Sequence, residues 1–137
     1  MRCASLDWLL NCQSMSIEGL KDRFQNFATQ VARLTKRLPE NSINYAYCNQ
    51  LVRSSSSSAA NYRAACRAKS TPDFINKLKI TEEELDESIY FLEMLRDFNK
   101  GLDEELAVAA SEANQLLSIV VASIKTARRN FEANKKR

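Results

Sequence analysis

"LVRSSSSSAANYRAACRA", Leu51 to Ala68, sets five consecutive serines between apolar residues. The run reads either as a flexible linker that divides the chain or as part of a helix that needs small side chains. Helical phase separates the two. The line Tyr47, Leu51, Ser54, Ser58, Asn61, Ala65 repeats at intervals of four and three straight through the serines, and a linker has no reason to keep that phase. The helix has a cost: serine is about 0.5 kcal/mol less favourable than alanine per helical residue, so five cost about 2–3 kcal/mol. Tertiary packing must offset it, with a neighbouring helix approaching closely over small side chains and the hydroxyls bonding carbonyls one turn back. The stretch is therefore expected to be helical, with Ser42 as its cap.

Three further seams surround it. Ile17, Leu20, Phe24, Phe27, Val31, Leu34 and Leu38 alternate spacings of three and four up to Pro39, which ends that helix. Phe74, Leu78, Thr81, Leu85, Ser88, Leu92 and Leu95 follow Thr71-Pro72-Asp73, read as a capping hydroxyl, a proline in the first turn and a carboxylate on the positive dipole end. Gly101 is the expected stop. Leu106, Ala110, Ala113, Leu117, Val120, Ile124, Ala127 and Phe131 follow the acidic start Asp103-Glu104-Glu105. Only two glycines and two prolines occur, too few for a turn-rich β or Rossmann-type chain. The expected fold is all-α, an antiparallel up-down-up-down four-helix bundle over residues 15–132. Residues 1–14 read as an N-terminal extension, with Met15 as an alternative start, and 133–137 as a basic C-terminal tail. Asn61, on the predicted core line, reads as a buried polar group that fixes register.

Much chemistry is excluded by composition. No histidine is present, which removes bis-histidine haem and the Glu-x-x-His di-iron site of many bundles. Cys3, Cys12, Cys48 and Cys66 lack C-x-x-C spacing, and Cys48 and Cys66 on one helix lie about 27 Å apart, beyond disulfide reach. Free thiols in a reducing cytoplasm are expected. The segment "MRCASLDWLLNC" is a poor signal peptide and too short to span a bilayer, so no membrane partner is expected. Walker, G-x-G-x-x-G and G-x-S-x-G motifs are absent. Glu83-Glu84-Leu85-Asp86-Glu87 has the E-E-x-x-E form that holds Mg²⁺ in all-α nucleotide pyrophosphatases, but the E-x-x-D that accompanies it there is missing. A solvated acidic face is the competing reading, and the chain is read as non-enzymatic, with no cofactor and no metal.

Charge is segregated. Residues 1–81 carry net +7, 82–105 net −8 and 106–137 net +4, within a total of +3. Acidic and basic helices can simply pair along exposed faces. Alternatively, Arg33, Lys36, Arg37, Arg53, Arg63, Arg67 and Lys69, with Lys125, Arg128, Arg129, Lys135, Lys136 and Arg137, form a phosphate-binding surface. Base stacking by aromatic residues is not evident from the sequence, so weak sequence selectivity is expected.

The anchors Leu38-Pro39, Gln50-Leu51 with Arg53-Ser54, Ala60-Asn61-Tyr62, Asp73-Phe74-Ile75 with Lys77-Leu78, and Asp86-Glu87 with Tyr90 and Leu92 give the chain a resemblance over residues 20–128. It resembles the small four-helix-bundle proteins encoded in intervening sequences of bacterial 23S ribosomal RNA genes, a family related to the accessory variability-determinant proteins of diversity-generating retroelements. The resemblance implies that the serines lie inside helix two, a homopentamer around a central channel, and a basic surface linked to nucleic acid, with a reverse transcriptase as partner in the retroelement relatives. Ala64 stands where that family usually has Glu, Glu83 where it has Lys, and Phe91 where it has Trp. The leading functional expectation is a non-catalytic, cytoplasmic homo-oligomer that binds RNA or DNA; a protein-interaction scaffold is the second and a Mg²⁺-dependent pyrophosphatase the third.

Overall fold

The computed structural model describes residues 16–137, so the expectations for residues 1–14 and for Met15 lie outside the described residues. Four helices follow in order: α1 (Ile17–Thr35), α2 (Ser42–Ala65), α3 (Thr71–Phe98) and α4 (Asp103–Lys135), with a 3₁₀ turn over Lys100–Leu102. Each helix packs on two others and the diagonal pairs do not touch, which is the square of a four-helix bundle. Asn44 meets Asn99 and Ser54 meets Ser88, while Arg37 meets Glu105 and Arg23 meets Glu112. Rising numbers on one helix thus face falling numbers on the other, the order of antiparallel neighbours, at both of these interfaces.

The serine run is helical throughout. Ser54, Ser55 and Ser58 are fully buried, and their hydroxyls donate to the carbonyls of Leu51, Val52 and Ser55 three residues back. Ser54 Oγ also lies 2.8 Å from Ser88 Oγ on α3. With a methylene and a hydroxyl on each side of that contact, α2 and α3 approach more closely than leucines would permit. This is the most extensive interface of the bundle. Across the other face of α2, Tyr62 stacks on Phe24 with ring centroids 4.6 Å apart and planes 11° from parallel.

Four boundaries differ from the sequence reading. The first helix ends at Thr35, and Leu38 is buried from the turn that leads to Pro39 instead of from the helix. Asn41, not Ser42, caps α2: its backbone is extended and its side chain accepts from the Asn44 amide at 2.8 Å, while Ser42 is already helical. Ser70, not Thr71, caps α3 in the same way, accepting from the Asp73 amide, and the Asp73 carboxylate reaches back to the Lys69 amide. Gly101 does not stop α3. A Cβ there would meet nothing within 4 Å, and the stop is Asn99, which leaves the helix at φ −138° and ψ 65°. Its buried amide donates to the Leu95 carbonyl and exchanges two 2.8 Å hydrogen bonds with the amide of Asn44, which also donates to the Pro39 carbonyl. This buried pair takes the register-fixing role expected of Asn61. Asn61 itself is only half-buried and bonds its own helix at Ser57.

In α4 the buried stripe is wider than a heptad seam: Leu116, Ile119 and Ser123 join it and Leu117 is half-buried. By length and composition this helix could cross a bilayer, but its apolar residues are largely those packed in the core. It continues through Lys135, into the segment read as a tail; from Arg128 onward only Phe131 is not fully exposed.

Two expectations follow. Ser54→Leu should overpack the α2–α3 interface and lower stability by about 1–3 kcal/mol in urea unfolding, whereas Ser56→Leu, on an exposed site, should change it by no more than about 0.5 kcal/mol. At the α3–α4 corner the Asp103 carboxylate accepts from Arg96 at 2.9 Å, which holds its pKa below the usual carboxylate range. A carboxyl lowered by folding stabilises fully above its unfolded pKa and loses that contribution as pH falls through its folded value. Asp103→Asn should therefore lower stability at neutral pH and have no effect near pH 2, in urea titrations at both pH values.

Candidate nucleic-acid interface

The expected binding cations fall into two groups once carboxylates are placed around them. Arg53 bridges from α2 to Glu84 at 3.2 Å and to Glu87 on α3, and Arg37 reaches Glu105 on α4 at 3.5 Å. These pairs satisfy the competing reading of mutual neutralisation along helix faces. Glu84 and Glu87 are thereby committed to Arg53, and no group of three or more potential metal ligands converges among the described residues. Arg23, which the sequence reading did not single out, is held by Glu112 at 2.6 Å and by Gln115, tying α1 to α4.

Arg33, Lys36 and Arg63 form no ion pair among the described residues. The fold brings them to the rim of one groove of about 530 Å³ between α1 and α2, together with Lys21. Between the cations its lining is mostly small side chains, Ala28, Thr29 and Ala32 from α1 and Ser56, Ala59 and Ala60 from α2, with Gln25 the one longer neutral residue. No carboxylate lines it. Lys21 touches Glu18 at 3.1 Å, a solvent-exposed contact within one helical turn. From Lys21 to Lys36 the rim runs fifteen residues along α1, about 22 Å at 1.5 Å per residue. A track of fixed cations over a floor without bulky side chains admits a sugar-phosphate backbone closely and favours its charge.

Lys21 was not legible as part of this site from charge density alone. The available signal was the stripe Lys21, Gln25, Ala28, Ala32, Lys36, spaced four, three, four and four, which runs along the α1 face beside its apolar seam.

The remaining cations lie elsewhere. Arg67 and Lys69 are exposed in and beside the α2–α3 connection. Lys125, Arg128, Arg129, Lys135, Lys136 and Arg137 are exposed along the end of α4, where Lys135 sits 4.6 Å above the Phe131 ring and 4.0 Å from Glu132. The outer face of α3 has the opposite sign: Glu83, Asp86, Tyr90, Glu93 and Asp97 form an exposed line at helical spacing. Beside it Phe91 packs against Tyr47 and Tyr90. Cys48 and Cys66 are free and half-buried, and burial pushes both thiols above their ordinary pKa.

A model of the 23S rRNA-intervening sequence protein family matches residues 21–122. The chain belongs to this family. The match spans the α1–α2 groove and all four of its cations, whereas the basic end of α4 from Lys125 lies beyond it. Among solved structures, the chain is similar to a protein with unknown function from the S23 ribosomal protein family of Bacteroides thetaiotaomicron VPI-5482, solved by crystallography. The two share 31% identity, the alignment covers 81% of this chain and 99% of the other, and the TM-score is 0.73. A search of curated proteins finds no match.

The sorting of cations predicts opposite mutational signatures. Arg53→Ala, which strands Glu84 and Glu87, should lower stability by up to about 1 kcal/mol in thermal or urea unfolding. Arg63→Ala, which breaks no ion pair, should leave stability within about 0.5 kcal/mol of the parent chain.

Proposed function

We propose that this family member is a non-catalytic, self-associating module that binds RNA or DNA through phosphate contacts in the α1–α2 groove, with weak sequence selectivity. The observation that carries the reading is the contrast in pairing. Arg37 and Arg53 are neutralised by carboxylates across the bundle, while Arg33, Lys36 and Arg63 are left without acidic partners around one groove. Clustering like charges costs free energy unless a polyanion relieves it. Arg67, Lys69 and the end of α4, from Lys125 through Arg137, extend the basic surface as peripheral contacts. Self-association, with the pentamer as the expected number, comes from the family resemblance.

A second reading has its own support. The acidic line on α3 and the exposed rings of Tyr90 and Phe98 beside it make a face with an aromatic centre and a charged rim, the composition of a protein interface. That surface repels nucleic acid and suits a scaffold that carries a protein partner, such as a reverse transcriptase.

A salt titration tests the first reading. Affinity for a mixed-sequence RNA, measured by fluorescence anisotropy, should fall linearly in log–log form with salt, by about 0.7–0.9 in slope for each phosphate contacted. Arg63→Ala and Lys36→Ala should each lower the slope by about that amount, whereas Arg53→Ala should leave it unchanged. Binding that ignores salt, or its absence at low salt, defeats the reading. A light-scattering mass equal to one chain removes self-association from it.

A further inference from the structure

The groove does not end at Lys36. The next residue back, Thr35, lines a second cavity of about 630 Å³ at the corner where α1 turns into α2, so consecutive residues at the end of α1 line the two depressions. We infer that this corner cavity receives an unpaired nucleobase, stacked on Tyr45, from a strand whose phosphates lie in the groove. The inference rests on the reading that the groove binds nucleic-acid phosphates.

Three properties of the cavity point to a base. Its volume falls within the roughly 300–1,000 Å³ of small-molecule sites. Its lining offers apolar surface from buried Leu38, half-buried Cys48 and Pro39, beside the buried Asn44, whose amide is already bonded to Asn99 and Pro39. At its edge stands Tyr45, 72% exposed, an aromatic ring with most of its surface in water. A base offers such a ring a planar partner, and stacking of this kind tolerates any of the four bases.

The polar groups at the rim are those that meet base edges rather than phosphates. Asn49 and Glu40 are both exposed, line the cavity, and form no side-chain hydrogen bond or ion pair among the described residues. An asparagine amide can serve as donor and acceptor to adenine, and a carboxylate accepts from the amino group of cytosine. Glu40 would repel a phosphate, so charge alone divides the track: cations over the groove for the backbone, an acid and an amide over the corner for the base. In sequence, Tyr45 sits apart from the cations; the turn at Pro39 sets its cavity at the end of the helix that carries Arg33 and Lys36.

The consequence is a preference for single strands. In a duplex the bases are paired and stacked, so the corner stays empty and only the phosphate contacts remain. A mixed-sequence single-stranded RNA of twelve nucleotides and the corresponding duplex are titrated against the full chain by fluorescence anisotropy at low salt. The parent chain should bind the single strand at least about fivefold more tightly than the duplex. Tyr45→Ala should weaken single-strand binding about tenfold while leaving duplex affinity, salt slope and unfolding temperature unchanged, and Tyr45→Phe should retain single-strand binding. Unchanged single-strand affinity in Tyr45→Ala, or equal losses on both nucleic acids, overturns the inference. Arg63→Ala separates the two levels: if it weakens both nucleic acids while Tyr45→Ala weakens neither, only the base site falls, and if it weakens neither, the groove reading falls as well.

Discussion

The contact between Ser54 and Ser88 sets the geometry on which the rest depends. Two hydroxyls at 2.8 Å, one donating to the other while the second donates to a carbonyl of its own helix, leave α2 and α3 separated by side chains of two heavy atoms. A buried hydroxyl without a partner would cost about 1–3 kcal/mol, so these serines are tolerated only because each donor is accounted for. Close approach here places Arg53 within reach of Glu84 and Glu87, and at the far end it aligns Asn44 with Asn99. Helix propensity alone disfavours the serine run; the interface it makes possible is what keeps it helical.

Much of this was legible in the sequence because the apolar period is strong. Every member of the Phe74-to-Leu95 line is buried, including Thr81 and Ser88, which composition alone would have put at the surface. The capping residues were displaced by one position at both Asn41 and Ser70, since Asn-Ser and Ser-Thr each offer two acceptable caps and only backbone dihedrals choose between them. The Asn44–Asn99 pair was not legible. Its members are 55 residues apart, each one step beyond the end of a predicted seam, three before Tyr47 and four after Leu95, and the pairing exists only after two helix ends meet. Asn61 had the right phase for that role, but its amide finds a nearer acceptor at Ser57.

The candidate site was only partly legible, for an electrostatic reason. A sequence reveals which residues carry charge but not which charges are already spent. Arg53 and Arg63 are separated by ten residues in the same helix and look equivalent in a list of cations. One faces Glu84 and Glu87 midway along α3 and the other faces α1, where the groove has no acid to meet it. Small residues were similarly ambiguous: the alanines at 28, 32, 59 and 60 are ordinary helix formers until two helices set them side by side as a floor.

The acids on the outer face of α3 and the cationic groove between α1 and α2 lie on different faces of the bundle. Charge of opposite sign on different faces makes the field around the molecule uneven in a way its net charge of +3 does not convey. A polyanion's field exerts a torque on such a particle before contact, turning the groove forward and the acidic flank away. Encounters are thus pre-aligned at distances up to about a Debye length, roughly 8 Å at physiological ionic strength, and raising the salt shortens the range over which that alignment acts.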